Sequence, residues 1–147
     1  MSTRYKHTQI GYFLATVYSI VVLFLGYLNI MANFHPLTLI GLIIVLIVLG
    51  TFSRLTVTVD DQVIRIHFGL KIIRKTFPLK EIETFRVVKN PWYYGWGIRF
   101  TPRGWLFNVS GFSAIELRMK NGKLYRIGTD EPDNFAAALD ETLNKES

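Results

Sequence analysis

The sequence predicts a two-helix transmembrane hairpin followed by a mainly β sandwich or partly open barrel of roughly seven antiparallel strands, capped by a C-terminal α-helix. Three observations carry that expectation. Residues 9–53 contain no Asp, Glu, Lys or Arg and are dense in Leu, Ile, Val, Phe and Tyr, the composition of a membrane segment. From Leu55 the hydrophobic period changes to two, with turn signals between short runs. After Gly128 it changes again, to a single helical stripe.

The apolar stretch is too long for one span. As helices, residues 10–30 would reach roughly 31 Å and residues 36–53 roughly 27 Å, each close to the thickness of a hydrocarbon core. Between them Asn29-Ile-Met-Ala-Asn-Phe-His-Pro36 interrupts the run, and Pro36 suits a first helical position. Helices at about 9–30 and 36–53 are therefore expected, preceded by a short tail. A buried hairpin inside a soluble core would keep a polar face, and these helices have none.

Arg4 and Lys6 precede the first helix, Arg54 follows the second, and the bend carries neither Lys nor Arg. That charge bias places both termini on the cytoplasmic side of the cell (inner) membrane, with a multi-pass topology. The first residues do not read as a signal peptide, because the apolar run passes 20 residues with no cleavage-site pattern after it. Gly11, Ala15, Ser19 and Gly26 line one side of the first helix with small residues. Such a stripe lets helices approach closely in lipid, either against the second helix or between chains as a homo-oligomer.

Leu55, Val57 and Val59 alternate with Thr56 and Thr58, Asp60-Asp61-Gln62 makes a turn, and Ile64, Ile66 and Phe68 alternate with Arg65 and His67. This is the pattern of a β-hairpin. A turn at Gly69–Lys71 leads into residues 72–77, Pro78-Leu-Lys-Glu-Ile82 interrupts the chain, and residues 83–88 resume as a strand. Further strands are expected at 98–100, 105–109 and 114–119. Asn121-Gly122 invites a two-residue turn, but that register would oppose Leu117 to Arg126 and put unlike residues on one face. A three-residue loop of Lys120, Asn121 and Gly122, with Gly122 left-handed, instead pairs Glu116 with Arg126, Leu117 with Tyr125 and Ile115 with Ile127.

Thr129 or Asp130 can cap the final helix, Glu131 and Asp133 suit its first turn, and Pro132 is tolerated there. Phe135, Ala138, Leu139, Thr142 and Leu143 share one face. The chain thus divides into residues 1–53, tail and hairpin, and residues 54–147, one small domain.

Net charge is +6 and uneven: +2 over residues 1–8, +9 over 54–128 and −5 over 129–147. A basic body beside a membrane is drawn to anionic headgroups. Cysteine is absent, which removes disulfides, thiolate chemistry and Cys-based metal sites and fits a reducing compartment.

The segments Lys75-Thr-Phe-Pro-Leu-Lys-Glu-Ile82, Gly95-Trp-Gly-Ile-Arg99, Gly104-Trp-Leu-Phe-Asn-Val-Ser-Gly111 and Asn121-Gly-Lys-Leu-Tyr-Arg-Ile-Gly-Thr-Asp-Glu-Pro132, in that order, resemble the small membrane-anchored bacterial proteins that carry a pleckstrin-homology-like (bacterial PH) domain. The resemblance covers nearly the whole chain. It implies a curved sandwich with a capping helix, acting as a binding module or scaffold. Phosphoinositide-reading pleckstrin-homology domains of eukaryotes set basic residues around the loop between their first two strands, whereas this loop is Asp60-Asp61-Gln62, whose carboxylates would repel a phosphate. Only Arg65 matches that pattern, and no lipid-phosphate site is carried over.

His7, His35 and His67 are too scattered for a metal cluster, and no cofactor is implied. Asp60-Asp61 and Glu81-x-Glu83 read as turn and strand-edge carboxylates, Gly95-x-Gly97 lacks the rest of a phosphate loop, and Ser110-Gly111 lacks a nucleophile elbow. No catalysis is expected. Nor is nucleic-acid binding, since no recognition signature accompanies the basic and aromatic residues. The remaining classes are a membrane-bound interaction or scaffold domain binding a protein partner or an anionic lipid surface, and a structural subunit assembling through its helices with a larger membrane complex. Trp92, Tyr93, Tyr94 and Trp96 follow Asn90-Pro91 without clean alternation, so some of these rings belong to a loop. With Lys89, Arg99, Arg103 and Trp105 nearby, they form the candidate binding surface, because aromatic anchors beside basic residues suit both protein hot spots and membrane interfaces.

Overall fold

In the computed structural model, which describes residues 2–146, the first element is a strand where the sequence reading placed a tail. Strand β1 (Thr3–Ile10) pairs antiparallel with β2 (Arg54–Asp60), from Thr3 opposite Asp60 to Ile10 opposite Arg54. Its period-two signal is carried by Tyr5, His7 and Gln9, of which only Tyr5 has an apolar body. Their partners are remote in sequence: Tyr5 stacks on Phe135 at 5.6 Å, and Gln9 Nε2 donates to the Ser110 carbonyl at 2.8 Å.

Two apolar helices are inserted between β1 and β2. Helix α1 (Tyr12–Met31) is long and apolar enough to cross a membrane, and α2 (Pro36–Phe52) is a shorter apolar helix packed against it. The helix ends lie close to those expected at the bend, with Asn29 inside α1, but α1 starts at Tyr12 and not at about residue 9, because Gln9 and Ile10 belong to β1. Buried against α2, Asn29 donates to the Thr38 carbonyl at 3.1 Å and accepts from Thr38 Oγ1 at 3.0 Å. That clasp satisfies a polar amide between two apolar surfaces. The turn falls at residues 32–35, with His35 Nδ1 accepting the Leu37 amide.

The rest of the chain makes two sheets. One has the order β1-β2-β3-β4, with β3 at Val63–Phe68 and β4 at Arg74–Pro78. After a 3-10 turn at Leu79–Glu81 the other follows, built from β5 (Ile82–Lys89), β6 (Gly97–Thr101), β7 (Gly104–Asn108), β8 (Ser113–Met119) and β9 (Leu124–Gly128) in the order β5-β8-β9-β7-β6. Nine strands among the described residues exceed the roughly seven expected. One neighbour pair is parallel, β7 with β9. The chain reverses into β8 and again into β9, so β9 runs the same way as β7 beside it; the architecture is mainly, not wholly, antiparallel.

The first expected hairpin is present, and the β8–β9 register is the one read from the sequence. Val59, Val57 and Leu55 face Ile64, Ile66 and Phe68 across β2 and β3. Glu116 lies opposite Arg126, Leu117 opposite Tyr125 and Ile115 opposite Ile127, with Gly122 left-handed at φ 86°. Those inward residues of both sheets form one core with Phe77, Leu79, Phe107 and Val109. Helix α3 (Pro132–Glu146) closes it with Phe135 and Leu139, both fully buried, and Thr129 Oγ1 accepts the Glu131 amide just before its first turn.

Candidate functional site

The base of the helix pair fixes a direction in the domain. Gly11 donates its amide to the Ser53 carbonyl at 2.8 Å, and a Cβ at Gly11 would fall 2.7 Å from the Val109 carbonyl oxygen. Close approach there requires glycine. Phe13 of α1 packs on Trp96 at 4.8 Å, and Trp96 packs on Phe112 at 5.9 Å. The starts of β6 and β8 and the end of β7 are therefore helix-proximal. The first residues of β6, Gly97 to Arg99, share a groove with Leu14 and Tyr18 of α1, and the strand ends at the turn at Pro102–Arg103, roughly 13 Å from its start at strand rise.

Along that direction the eight candidate surface residues separate. Trp96 belongs to the helix base, where its Nε1 donates to the Gly111 carbonyl at 3.1 Å. Lys89 ends β5, exposed, opposite Ser113. Trp92, Tyr93 and Tyr94 form a 3-10 turn laid across the outer face of the second sheet. Trp92 and Tyr93 are 77% and 66% exposed, whereas Tyr94 is half-buried with its ring 5.8 Å from the Arg126 guanidinium carbon. Arg99 Nε donates to the Trp96 carbonyl at 3.0 Å, which braces the bend before β6. Arg103 and Trp105 lie at the far turn.

Phe100 was missed. It lies in the expected strand at 98–100, but β6 is a sheet edge and Phe100 is 73% exposed, paired edge to face with Trp105 at 5.3 Å. This aromatic pair borders a groove of about 320 Å³ with Leu124 and Tyr125. A second groove of about 380 Å³ runs between Tyr93, Tyr94, Arg99 and Phe100. The two grooves share Phe100, and Arg99 also lines a groove of about 430 Å³ with Leu14 and Tyr18 of α1, so this aromatic and basic ridge adjoins the helices at Arg99 and reaches the far turn at Trp105.

What holds the 3-10 turn down was also outside the sequence reading, although its register had put Glu116 opposite Arg126. Glu116, buried on the outer face, accepts from Arg126 Nε at 2.9 Å and from Arg86 Nε at 2.9 Å, and Arg126 Nη1 donates to Asn90 Oδ1 at 2.9 Å. Burial pushes the Glu116 carboxyl up, but the hydrogen bonds and charges of Arg126 and Arg86 outweigh it and hold the group below the usual range. Arg86, Arg103 and Arg118 rim a cleft of about 600 Å³ beside it.

The acidic first turn is occupied from within. Asp60 pairs with Arg65 at 3.1 Å and Asp61 with Arg4 at 2.6 Å, a contact made possible by β1. Hydrogen bonding from Arg4, then from the Ser2 amide, holds the Asp61 carboxyl below its ordinary value. Of the small-residue stripe, Gly11 meets the domain, Ser19 Oγ donates back to the Ala15 carbonyl, and a Cβ placed at Gly26 would meet nothing within 4 Å beyond its chain neighbours and the backbone of its own helix. Contact between α1 and α2 does not run through Gly26.

Comparison of the chain with protein-family models, with curated proteins and with solved structures finds no match.

Proposed function

We propose that this protein is a membrane-anchored, non-catalytic binding module with a PH-like domain, held on the cytoplasmic face by a two-span hairpin. The observation that carries the reading is the exposed Phe100–Trp105 pair with Tyr93, Trp92, Arg99 and Arg103, a ridge that adjoins α1 at Arg99 and ends at the turn between β6 and β7. Large exposed rings beside guanidinium groups are the composition of a protein-binding hot spot, and the place of the Phe100–Trp105 pair at the far end of β6 favours a protein partner over the anchor's own bilayer. Basic flanking suits a partner surface rich in carboxylates.

Two features support the anchor. Pairing of Ile10 with Arg54, together with the Gly11 to Ser53 bond, sets the chain entering α1 beside the chain leaving α2, so a span by α1 requires a return by α2. At 1.5 Å per residue α2 reaches roughly 25 Å, short for a bilayer core but completed by the apolar residues at its ends. The PH-like assignment is supported by the resemblance in sequence and by a C-terminal helix closing a two-sheet core.

The test is co-purification from native membranes with full-length wild type, Phe100→Ser/Trp105→Ser and Arg99→Glu/Arg103→Glu. A partner retained by wild type and lost from both variants is expected. One retained equally by all three removes the ridge as the site.

A further inference from the structure

Exposed apolar side chains also gather at the opposite end of the domain, around the helix base, where the ridge cannot account for them. The β3–β4 loop, Gly69-Leu-Lys-Ile-Ile-Arg74, leans on α2: a Cβ on Gly50 would fall 3.0 Å from Leu70 Cδ1. Leu70 is 51% exposed and Ile72 65% exposed. On the other flank Phe112, 46% exposed, extends the Phe13–Trp96 contact away from α1. The apolar surface of the helices thus continues without a break onto two loops from different sheets. Charge follows the same outline: residues 50–59, 69–75, 89–97 and 108–113 contain no Asp or Glu, while Arg54, Lys71, Arg74, Lys75 and Lys89 lie within them. Burial, then Lys71, Arg74 and Lys6, hold the His67 imidazole below its ordinary value, a mark of the same local excess of cations.

We infer that the loop around Leu70 and Ile72, together with Phe112, is a two-sided seat for the bilayer interface, with Ile72 and Phe112 inserted among the headgroups and Lys71 and Arg74 on anionic phosphates. This rests on the reading of α1 and α2 as spans. An apolar tip beside cations, continuous with a spanning helix, is matched by a zone where hydrocarbon gives way to anionic headgroups. Gripping the surface on both sides of the hairpin fixes the tilt of the domain and points the Phe100–Trp105 ridge into water.

The chain has no cysteine, so single spin-labelled cysteines report depth without background. Full-length protein in bilayers of mixed neutral and anionic phospholipid carries the label at Leu23, on the exposed side of α1, at Ile72, at Phe112, or at Lys123 in the β8–β9 turn. Labels at Leu23, Ile72 and Phe112 are expected to lose broadening by an aqueous nickel complex and keep broadening by oxygen, while the label at Lys123 stays open to nickel. Lipid accessibility at Leu23 with Ile72 and Phe112 as open to nickel as Lys123 overturns the seat and leaves the anchor standing. A lipid signature at only one of Ile72 and Phe112 overturns its two-sidedness. Nickel access at Leu23 removes the anchor itself, and the seat with it.

Discussion

Glu116 is the residue on which the outer face of the second sheet turns. Its side chain is 6% exposed and that of Arg126 7%, so neither charge is solvated enough to stand alone. Removing one member of such a pair costs about 3 to 5 kcal/mol because the other stays buried and uncompensated. Glu116→Ala is expected to lower the Tm of the detergent-solubilised full chain sharply, and adding Arg126→Met to recover part of the loss. Because the folded carboxyl titrates below its ordinary value of 4.5, its stabilisation is complete above that pH and is lost as pH falls through the folded value. The Tm difference between wild type and Glu116→Ala is therefore expected to be constant near neutrality and to shrink below pH 4.5. Equal loss of Tm at every pH would contradict the charged role. Sequence placed Glu116 opposite Arg126, but not Asn90 or Tyr94 over them, since that contact depends on how the segment before β6 folds back. Trp92 through Trp105 were grouped for closeness in sequence. The partners that separate them in space, Phe13 and Phe112 for Trp96 and Phe100 for Trp105, are set by strand direction.

Elements formed by local pairing were legible and those completed by distant pairing were not. The β2–β3 and β8–β9 hairpins join strands a few residues apart, and their register follows from keeping apolar residues on one face. The stripe of α3 was equally plain, and Leu139 is fully buried in the core. Leu139→Ala should cost roughly 2 to 5 kcal/mol, a large part of the reserve of a domain this size. An unchanged melting curve would mean that α3 is undocked. Strand β1 was illegible because its inward residues are mostly polar and its partner strand is some 45 residues away. It nevertheless covers the backbone edge of β2 and supplies Tyr5 to Phe135. A fragment of residues 54–147 is expected to aggregate or melt well below one in which residues 2–10 are joined to Arg54 by a short flexible linker, since an uncovered strand edge invites pairing between chains. Equal stability of the two would show that β1 contributes nothing.

At the scale of the whole molecule, the helices occupy the place of a turn: β1 and β2 are neighbours in one sheet, and α1 and α2 form the loop between them. Helix pair and domain are thereby one unit, with two adjacent chain crossings and side chains such as Phe13 and Leu70 packed across the junction. Composition revealed the apolar pair and the change of period revealed the β-rich domain, but their interlocking needed β1. Under the proposed two-span reading, residues before α1 and after α2 lie on one side of the membrane, with the bend on the other. Single cysteines at Ser2, Asn33 and Lys123 of the cysteine-free chain, probed in intact cells with a membrane-impermeant thiol reagent, test that most directly. The expected result is labelling at Asn33 alone, with Ser2 and Lys123 reacting only after the membrane is permeabilised. Labelling of Ser2 or Lys123 in intact cells, or protection of Asn33, would contradict a two-span anchor holding the domain on the cytoplasmic face.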